Sequence, residues 1–208
     1  GGGSGDIDNI DDDPVNCPAG KVKDSNGNCV KKPCIGDPVK NPEIVSSGPS
    51  GKKGGTFGCT RSESNRICGG VKGKKKHDGL DIKAAVNTFT FSMYDGTVSS
   101  VRNTFSPRQY KEGSYGNYII VTTKVNGVTI FIKYNHLNKV DVKKGDKVKA
   151  GDIIGLNGNK GNANPPKGSV IPHIHLQIYN TSWKSINPEN YLKTKFDNNK
   201  NTINNTNC

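Results

Sequence analysis

The chain has few of the groups that most enzymes lean on: four glutamates, Glu43, Glu63, Glu112 and Glu189, and four histidines in 208 residues. None of the glutamates lies in a histidine motif, so the metalloprotease helix H-E-x-x-H, with its carboxylate base, is excluded. There is no run of 18 apolar residues, which excludes a helical membrane span. Basic residues are not interleaved with aromatics, and neither a basic helix nor finger spacing occurs, so nucleic acid is not an expected partner. A 3.6-residue apolar period is missing everywhere except for a short turn near 188–192, so the domain reads as mostly β. Apolar residues make up only 31%, beside 26 glycines and 11 prolines. About 150 residues are therefore expected to be ordered around one core.

Thirty Lys and Arg against eighteen Asp and Glu leave a net charge of +12. Such a field favours an anionic partner, with bacterial wall polymers ahead of nucleic acid or an anionic membrane, or it simply maintains solubility. Six cysteines, at 17, 29, 34, 59, 68 and 208, include no paired C-x-x-C metal site, so disulfides in an oxidising compartment are expected. The pairs expected are Cys59 with Cys68, Cys17 with Cys29, and Cys34 with Cys208. The opening Gly1-Gly2-Gly3-Ser4-Gly5, without an initiator Met or signal peptide, reads as a linker ahead of a processed or excised C-terminal portion.

Four segments are expected. Residues 1–16 form a flexible acidic linker, 17–44 a small Cys-containing extension, 45–195 the main domain, and 196–208 an Asn-rich tail, disordered unless Cys208 ties it down. Asp24-Ser25-Asn26-Gly27 resembles the start of a calcium loop, but its glycine comes two places early, so a plain turn is expected. Residues 44–76 read as loop. Strands are expected at 88–93, 97–102, 117–125, 128–134, 152–156 and 173–179, rich in β-branched and aromatic residues. Asn126-Gly127 signals a type I′ hairpin. The fold class is thus an antiparallel β-sheet or sandwich-like domain with long loops and few short helices.

All four histidines fall in three motifs, His77-Asp78-Gly79-Leu80-Asp81, Tyr134-Asn135-His136-Leu137 and Pro172-His173-Ile174-His175. Concentrating the commonest zinc ligand in this way points to one metal-dependent site. On a strand, His173 and His175 share one face while Ile174, Leu176 and Ile178 take the other, so both imidazoles can reach one cavity. His77 and Asp81 supply a borderline and a hard ligand, and catalytic zinc needs a third from the His-x-His strand. Asp78 is read as a solvated charge. With no glutamate base, proton transfer falls to His136 and to whichever of His173 and His175 is not a ligand.

These motifs resemble those of the lysostaphin-type (LytM-like) zinc endopeptidases, which cut peptidoglycan peptides. His77 to Asp81 is similar to their H-x-G-[IL]-D, Tyr134 to Leu137 to Y-x-H-L, and Pro172 to Gln177 to P-H-[LV]-H-[FL]-[EQ]. The segment from Val142 to Gly155 resembles their V-x-x-G-D-x-V-x-x-G-x-x-[IL]-[GA] hairpin, and Gly116-Asn117-Tyr118 a frequent strand start. The resemblance covers about residues 45–195. It implies one Zn2+ per chain on His77, Asp81 and His175, with His136 and His173 as the catalytic pair that polarises water and stabilises the oxyanion. It further implies a peptidoglycan peptide substrate and a secreted, periplasmic or wall-associated monomer. A non-catalytic wall-binding module on the same fold and a secreted antibacterial toxin domain are the rival readings. Two departures stand out: the family's G-[ST]-[ST]-G turn is here Gly158-Asn159-Lys160-Gly161, and residues 60–76 hold no Tyr, which some members place there. Other partial matches carry less. Gly155 to Gly161 opens no helix and lacks the Lys-Ser/Thr of a phosphate loop, Lys74-Lys75-Lys76 reads as a solvated rim or a contact for wall anions, and Asp146-Lys147-Val148 matches the lipoyl D-K-A only in part.

Overall fold

A computed structural model describes residues 16–106, 109–163 and 171–203. An N-terminal hairpin, β1 (Lys21–Lys23) and β2 (Cys29–Lys31), is closed by the Cys17–Cys29 disulfide. Its turn is the plain one expected, with Asp24 Oδ1 accepting from the backbone of Asn26 and Asn28 at 2.9 Å each. Beyond it, Val39, Ile44 and Val45 are buried, and the backbone of residues 43–45 bonds to that of Asp81 and Lys83.

Residues 44–76, expected as loop, instead form a 3-10 segment, Gly48–Gly55, and the paired strands β3 (Gly58–Cys68) and β4 (Val71–His77). The strands escaped notice because they are largely exposed and carry Lys72, Lys74, Lys75 and Lys76 rather than an apolar alternation. Their register shifts between Ser62 and Ile67, and the Cys59–Cys68 disulfide closes that irregular stretch.

The main sheet is antiparallel throughout. It uses β5 (Leu80–Lys83), β7 (Gly96–Arg102), β8 (Asn117–Val125), β9 (Val128–Leu137), β11 (Lys147–Val148), β13 (His173–Tyr179) and β14 (Ser185–Ile186). The order is β11-β7-β8-β9-β13-β14, with β5 also pairing with β13. A smaller sheet of β10 (Lys139–Val140), β12 (Ile153–Leu156) and β6 (Phe89–Phe91) contributes Ile154 to the same core. The hairpin between β8 and β9 turns at Asn126 (φ 49°) and Gly127 (φ 80°), the two positive values that a type I′ turn requires.

Alternation sorts the sheet into two faces. Ile119 and Val121, Ile130, Ile132 and Tyr134, and Ile174, Leu176 and Ile178 all point into the core, each essentially without solvent contact. Tyr134 belongs to this set; its hydroxyl accepts from the Met93 backbone. The opposite face carries Lys133, Asn135, His175 and Gln177. Helical structure among the described residues is limited to 3-10 segments, including Gly161–Ala163 and Pro188–Tyr191, the latter where a turn was expected.

The described part of the tail is ordered, the outcome expected only with Cys208 tied down. Lys195–Phe196 (β15) pairs with Thr202–Ile203 (β16) around a turn in which Asp197 Oδ1 accepts from the backbone of Asn199 and Asn201. Thr202 then anchors it to the Pro42 carbonyl at 2.6 Å. Composition had suggested disorder because asparagines seldom build strands, yet short polar side chains are what turns of this kind use. Cys34 is disulfide-bonded, while Cys208, its expected partner, lies outside the described residues, as do 1–15 of the acidic linker.

Candidate active site

Cross-strand register assembles the site. On the β5–β13 ladder His175 sits directly opposite Asp81, and four residues before Asp81 the end of β4 delivers His77. His77, Asp81 and His175 are all buried. His77 Nε2 lies 3.1 Å from His175 Nδ1 and 3.3 Å from Asp81 Oδ1, and His175 Nδ1 lies 2.8 Å from the same oxygen. Gly79 permits this approach: a Cβ there would meet the Leu176 carbonyl oxygen at 2.6 Å and the His175 ring at 2.7 Å.

Hydrogen bonds decide which ring nitrogens are free. His77 Nδ1 lies 2.9 Å from the Thr56 carbonyl oxygen; a carbonyl only accepts, so Nδ1 carries the proton and Nε2 keeps its lone pair. By the same reasoning His136 donates from Nδ1 to the Lys160 carbonyl at 2.7 Å, and His173 from Nδ1 to the Ile171 carbonyl at 2.7 Å. Their Nε2 atoms remain as bases. The two rings are 5.0 Å apart between centroids, and His173 Nε2 is 3.7 Å from Asp81 Oδ1. Burial lowers the His136 imidazole well below its ordinary value, and the charges of His173 and His175 add to this. Burial lowers His173 as well, outweighing the opposing pull of Asp81.

His136 reaches the cavity through a break in the sheet. Asn117 pairs with Leu137 and Tyr118 with Asn135, so His136 is the extra residue of a β-bulge, with φ 63°. Without the bulge it would follow Ile132 and Tyr134 into the core; the bulge turns it to the other face. The departure at Gly158 to Gly161 has a structural use. Lys160 is buried, its carbonyl orients His136, and its ammonium donates to the carbonyls of Phe105 and Asn138 at 2.6 and 2.7 Å.

Asp78 is not the solvated charge expected. Its carboxylate accepts from Tyr115 Oη at 3.1 Å and from Gln177 Nε2 at 2.7 Å, and Oδ1 stands 3.4 Å from His175 Nε2. Burial pushes this carboxyl up, but His175 and Tyr115 outweigh it and bring it to about 2. Asp81 behaves alike: burial raises it, and the histidines around it hold it well below the usual carboxylate range. Residues 78 and 79 lie between β4 and β5, outside both strands, and there the Asp78 carboxylate turns toward His175.

Two further side chains escaped sequence reasoning. Arg61, from the segment that lacks a Tyr, donates to Asp81 Oδ2 at 2.5 Å and lies 3.0 Å from His77 Nε2. Tyr115 stacks on the His175 ring at 4.8 Å. Nothing in the sequence marked Arg61, whereas Tyr115 stands directly before the Gly116-Asn117-Tyr118 strand start. All these groups line a cavity of about 440 Å³, with Lys75 and Lys76 at its edge.

The residues fit a metal ion. Three donors of mixed imidazole and carboxylate type stand 2.8 to 3.3 Å apart. Bonds of about 2.0–2.1 Å in a tetrahedron place ligand atoms about 3.3 Å from one another. His175 Nε2, on the far side of its ring, is buried without a hydrogen bond and aims at Asp78, the place of a carboxylate that orients a ligating histidine.

Three such donors, delivered by the end of β4 and by the β5–β13 ladder, beside two neutral histidines in one cavity are the equipment of a metallopeptidase. The chain belongs to peptidase family M23, whose model matches residues 75–188. It is 37% identical to an uncharacterized metalloprotease of Buchnera aphidicola over 63% of this chain and 30% of that protein. It is 34% identical to the peptidoglycan DD-endopeptidase ShyA of Vibrio cholerae over 49% of this chain and 20% of that one. The chain thus spans less than a third of the length of either relative. In fold it is similar to a zinc-containing peptidase from Vibrio cholerae, with TM-score 0.50 and 23% identity over 81% of this chain and 45% of that chain.

Proposed function

We propose that the protein is a zinc-dependent endopeptidase that hydrolyses peptide bonds of peptidoglycan, with one Zn2+ held by His77 Nε2, Asp81 Oδ1 and His175 Nδ1. The convergence of those three atoms to within 3.3 Å, facing the same cavity as two neutral histidines, is the observation that carries this reading. Zinc in that position supplies Lewis-acid polarisation of a carbonyl and acidification of a water. The chain's own groups do the rest. As a water oxygen attacks the amide carbon, His136 or His173 takes its proton at Nε2, and the same proton passes to the departing amine as the C–N bond breaks. The other histidine, whose Nε2 is likewise unprotonated, orients the water by accepting from it, and Arg61 adds a cation at the rim for the developing oxyanion.

The peptidase unit is assigned to residues 45–195, with Val39 and Ile44 completing its core. Disulfides and the wall-directed names of relatives support a place outside the cytoplasm, where a monomer would meet its substrate. A non-catalytic wall-binding role is disfavoured by the complete ligand set, and a toxin role would use the same chemistry.

The test pairs metal analysis of purified protein with release of soluble muropeptides from isolated sacculi. His136→Ala and His173→Ala should each keep about one zinc and lose about 10²- to 10⁴-fold in turnover. Asp81→Ala should lose both metal and activity. Full hydrolysis by metal-free His77→Ala protein would end the proposal.

A further inference from the structure

A second hollow of about 380 Å³ shares Tyr115 as a lining residue with the cavity of the histidines. Register builds its floor: Arg102 of β7 is opposite Tyr118 of β8, and Lys133 of β9 is opposite Gln177 of β13. The Tyr118 ring carries two cations, the Lys133 ammonium 4.5 Å from its centroid and the Arg102 guanidinium at 5.0 Å. Lys133 also lies 5.1 Å over Tyr115, and Lys111 lines the same hollow. Among the described residues neither Lys133 nor Arg102 has an ion pair or a side-chain hydrogen bond. Glu112 lines the hollow and Asp78 is near enough to act on Lys133 through charge, yet neither carboxylate pairs with it.

Two like charges flanking one aromatic ring repel each other, and the ring quadrupole offsets this only in part. Burial and Arg102 both press the Lys133 ammonium toward losing its proton, so an anion in the hollow that both cations line would offset their repulsion. The position suggests what that anion is attached to. Gln177 is two residues beyond His175 on β13, about 7 Å along the strand, and Lys133 is its cross-strand neighbour. That offset equals about two residues of an extended peptide whose scissile bond lies at the histidines.

We propose that this hollow is a subsite for a carboxylate on the substrate peptide, about two residues from the bond that is cut. The proposal rests on the endopeptidase reading above and deepens it: Lys133 and Arg102 clamp the carboxylate, while Tyr115 and Tyr118 form the walls that keep both cations in place. Phosphate groups of a wall polymer share this chemistry, but they are not carried at a fixed distance from a scissile amide.

Two measurements separate the possibilities. In the first, muropeptides are used as isolated and after their carboxylates have been coupled to ammonia to give amides. The metal-loaded protein should favour the free carboxylate by about tenfold in kcat/KM, mostly through KM, the ratio expected of one partly exposed charge-assisted contact. Lys133→Gln with Arg102→Gln should bring that ratio to about one, and Lys133→Arg should preserve it. In the second, N-acetylglutamate and inorganic phosphate are titrated separately while NMR signals of Lys133, Tyr115 and Tyr118 are followed. Saturable shifts with N-acetylglutamate that vanish in the double variant support the subsite, even for a protein that cuts no muropeptide, in which case only the catalytic reading fails. Equal rates on both substrates, no shifts with N-acetylglutamate, or tighter binding of phosphate would overturn it.

Discussion

His175 is pulled two ways by its surroundings. Burial lowers its proton affinity, but the carboxylates of Asp78 and Asp81 outweigh this and hold its pKa above the ordinary 6.5. In the metal-free protein a proton therefore competes for the same imidazole as the ion, and binding must release it. The sign is definite: as pH falls through the raised pKa, the ligand is lost to the proton. Zinc affinity measured by chelator competition between pH 5.5 and 8 should weaken as pH falls, starting above pH 6.5 and approaching about tenfold per pH unit for this one proton. Replacing Asp78 with Asn should move that onset downward and weaken binding at pH 8 by about 10- to 100-fold. A profile unchanged by this substitution would show that Asp78 does not orient the ring. At this scale the candidate donors were readable, because a His-x-His strand and an H-x-x-x-D pair each have a chemical signature, while the choice of His175 over His173 rested on the family resemblance. Asp78, Tyr115 and Arg61 were not, because what they do depends on neighbours 37, 99 and 20 residues away.

At the scale of elements, β3 and β4 stand apart from the rest. No residue of the core cluster falls between 58 and 77, yet this hairpin brings Arg61, Lys75 and Lys76 to the cavity. Its order rests on backbone pairing, the Lys75–Glu63 ion pair at 2.9 Å and the Cys59–Cys68 bond. An exposed ion pair contributes only about 0–1 kcal/mol, so the disulfide dominates locally. Exchanging both cysteines for serine should accelerate amide hydrogen exchange across 58–77 by about tenfold or more, while the main thermal transition moves by only a few degrees. Loss of cooperative unfolding in the variant would instead make the hairpin part of the core. The longer strands of the main sheet, β7, β8, β9 and β13, were legible because one face is buried, which forces an apolar residue at every second position, whereas the short β5, β11 and β14 were not expected. An exposed hairpin obeys no such constraint, and the tail hairpin escaped for the same reason.

The molecule as a whole carries its +12 charge over a sheet whose open face already collects cations beside the catalytic cavity. Long-range attraction to an anionic polymer, the proposed wall among them, would follow from that sum rather than from any one contact. Salt should weaken it: binding to isolated sacculi is expected to fall about tenfold or more between 0.05 and 0.5 M NaCl, as the screening length shortens from over 10 Å to a few Å. Metal binding to the cavity, held mainly by ligand bonds, should change much less over the same range when followed by chelator competition. Comparable losses in both would place the charge effect inside the site.

Residue identity and spacing alone determined the antiparallel β class, the type I′ turn and the set of histidines and carboxylate that chemistry would want together. Those features are local, or follow from the two-residue period of a strand with one wet and one dry side. Tertiary structure decided the rest. Only the packed sheet sets Asp81 opposite His175, turns His136 out of the core by a single bulged residue, and brings Arg61 of β3 and Tyr115 of the loop before β8 to the cavity. Each of these depends on the register between strands distant in sequence, and register is an outcome of how the whole core fills.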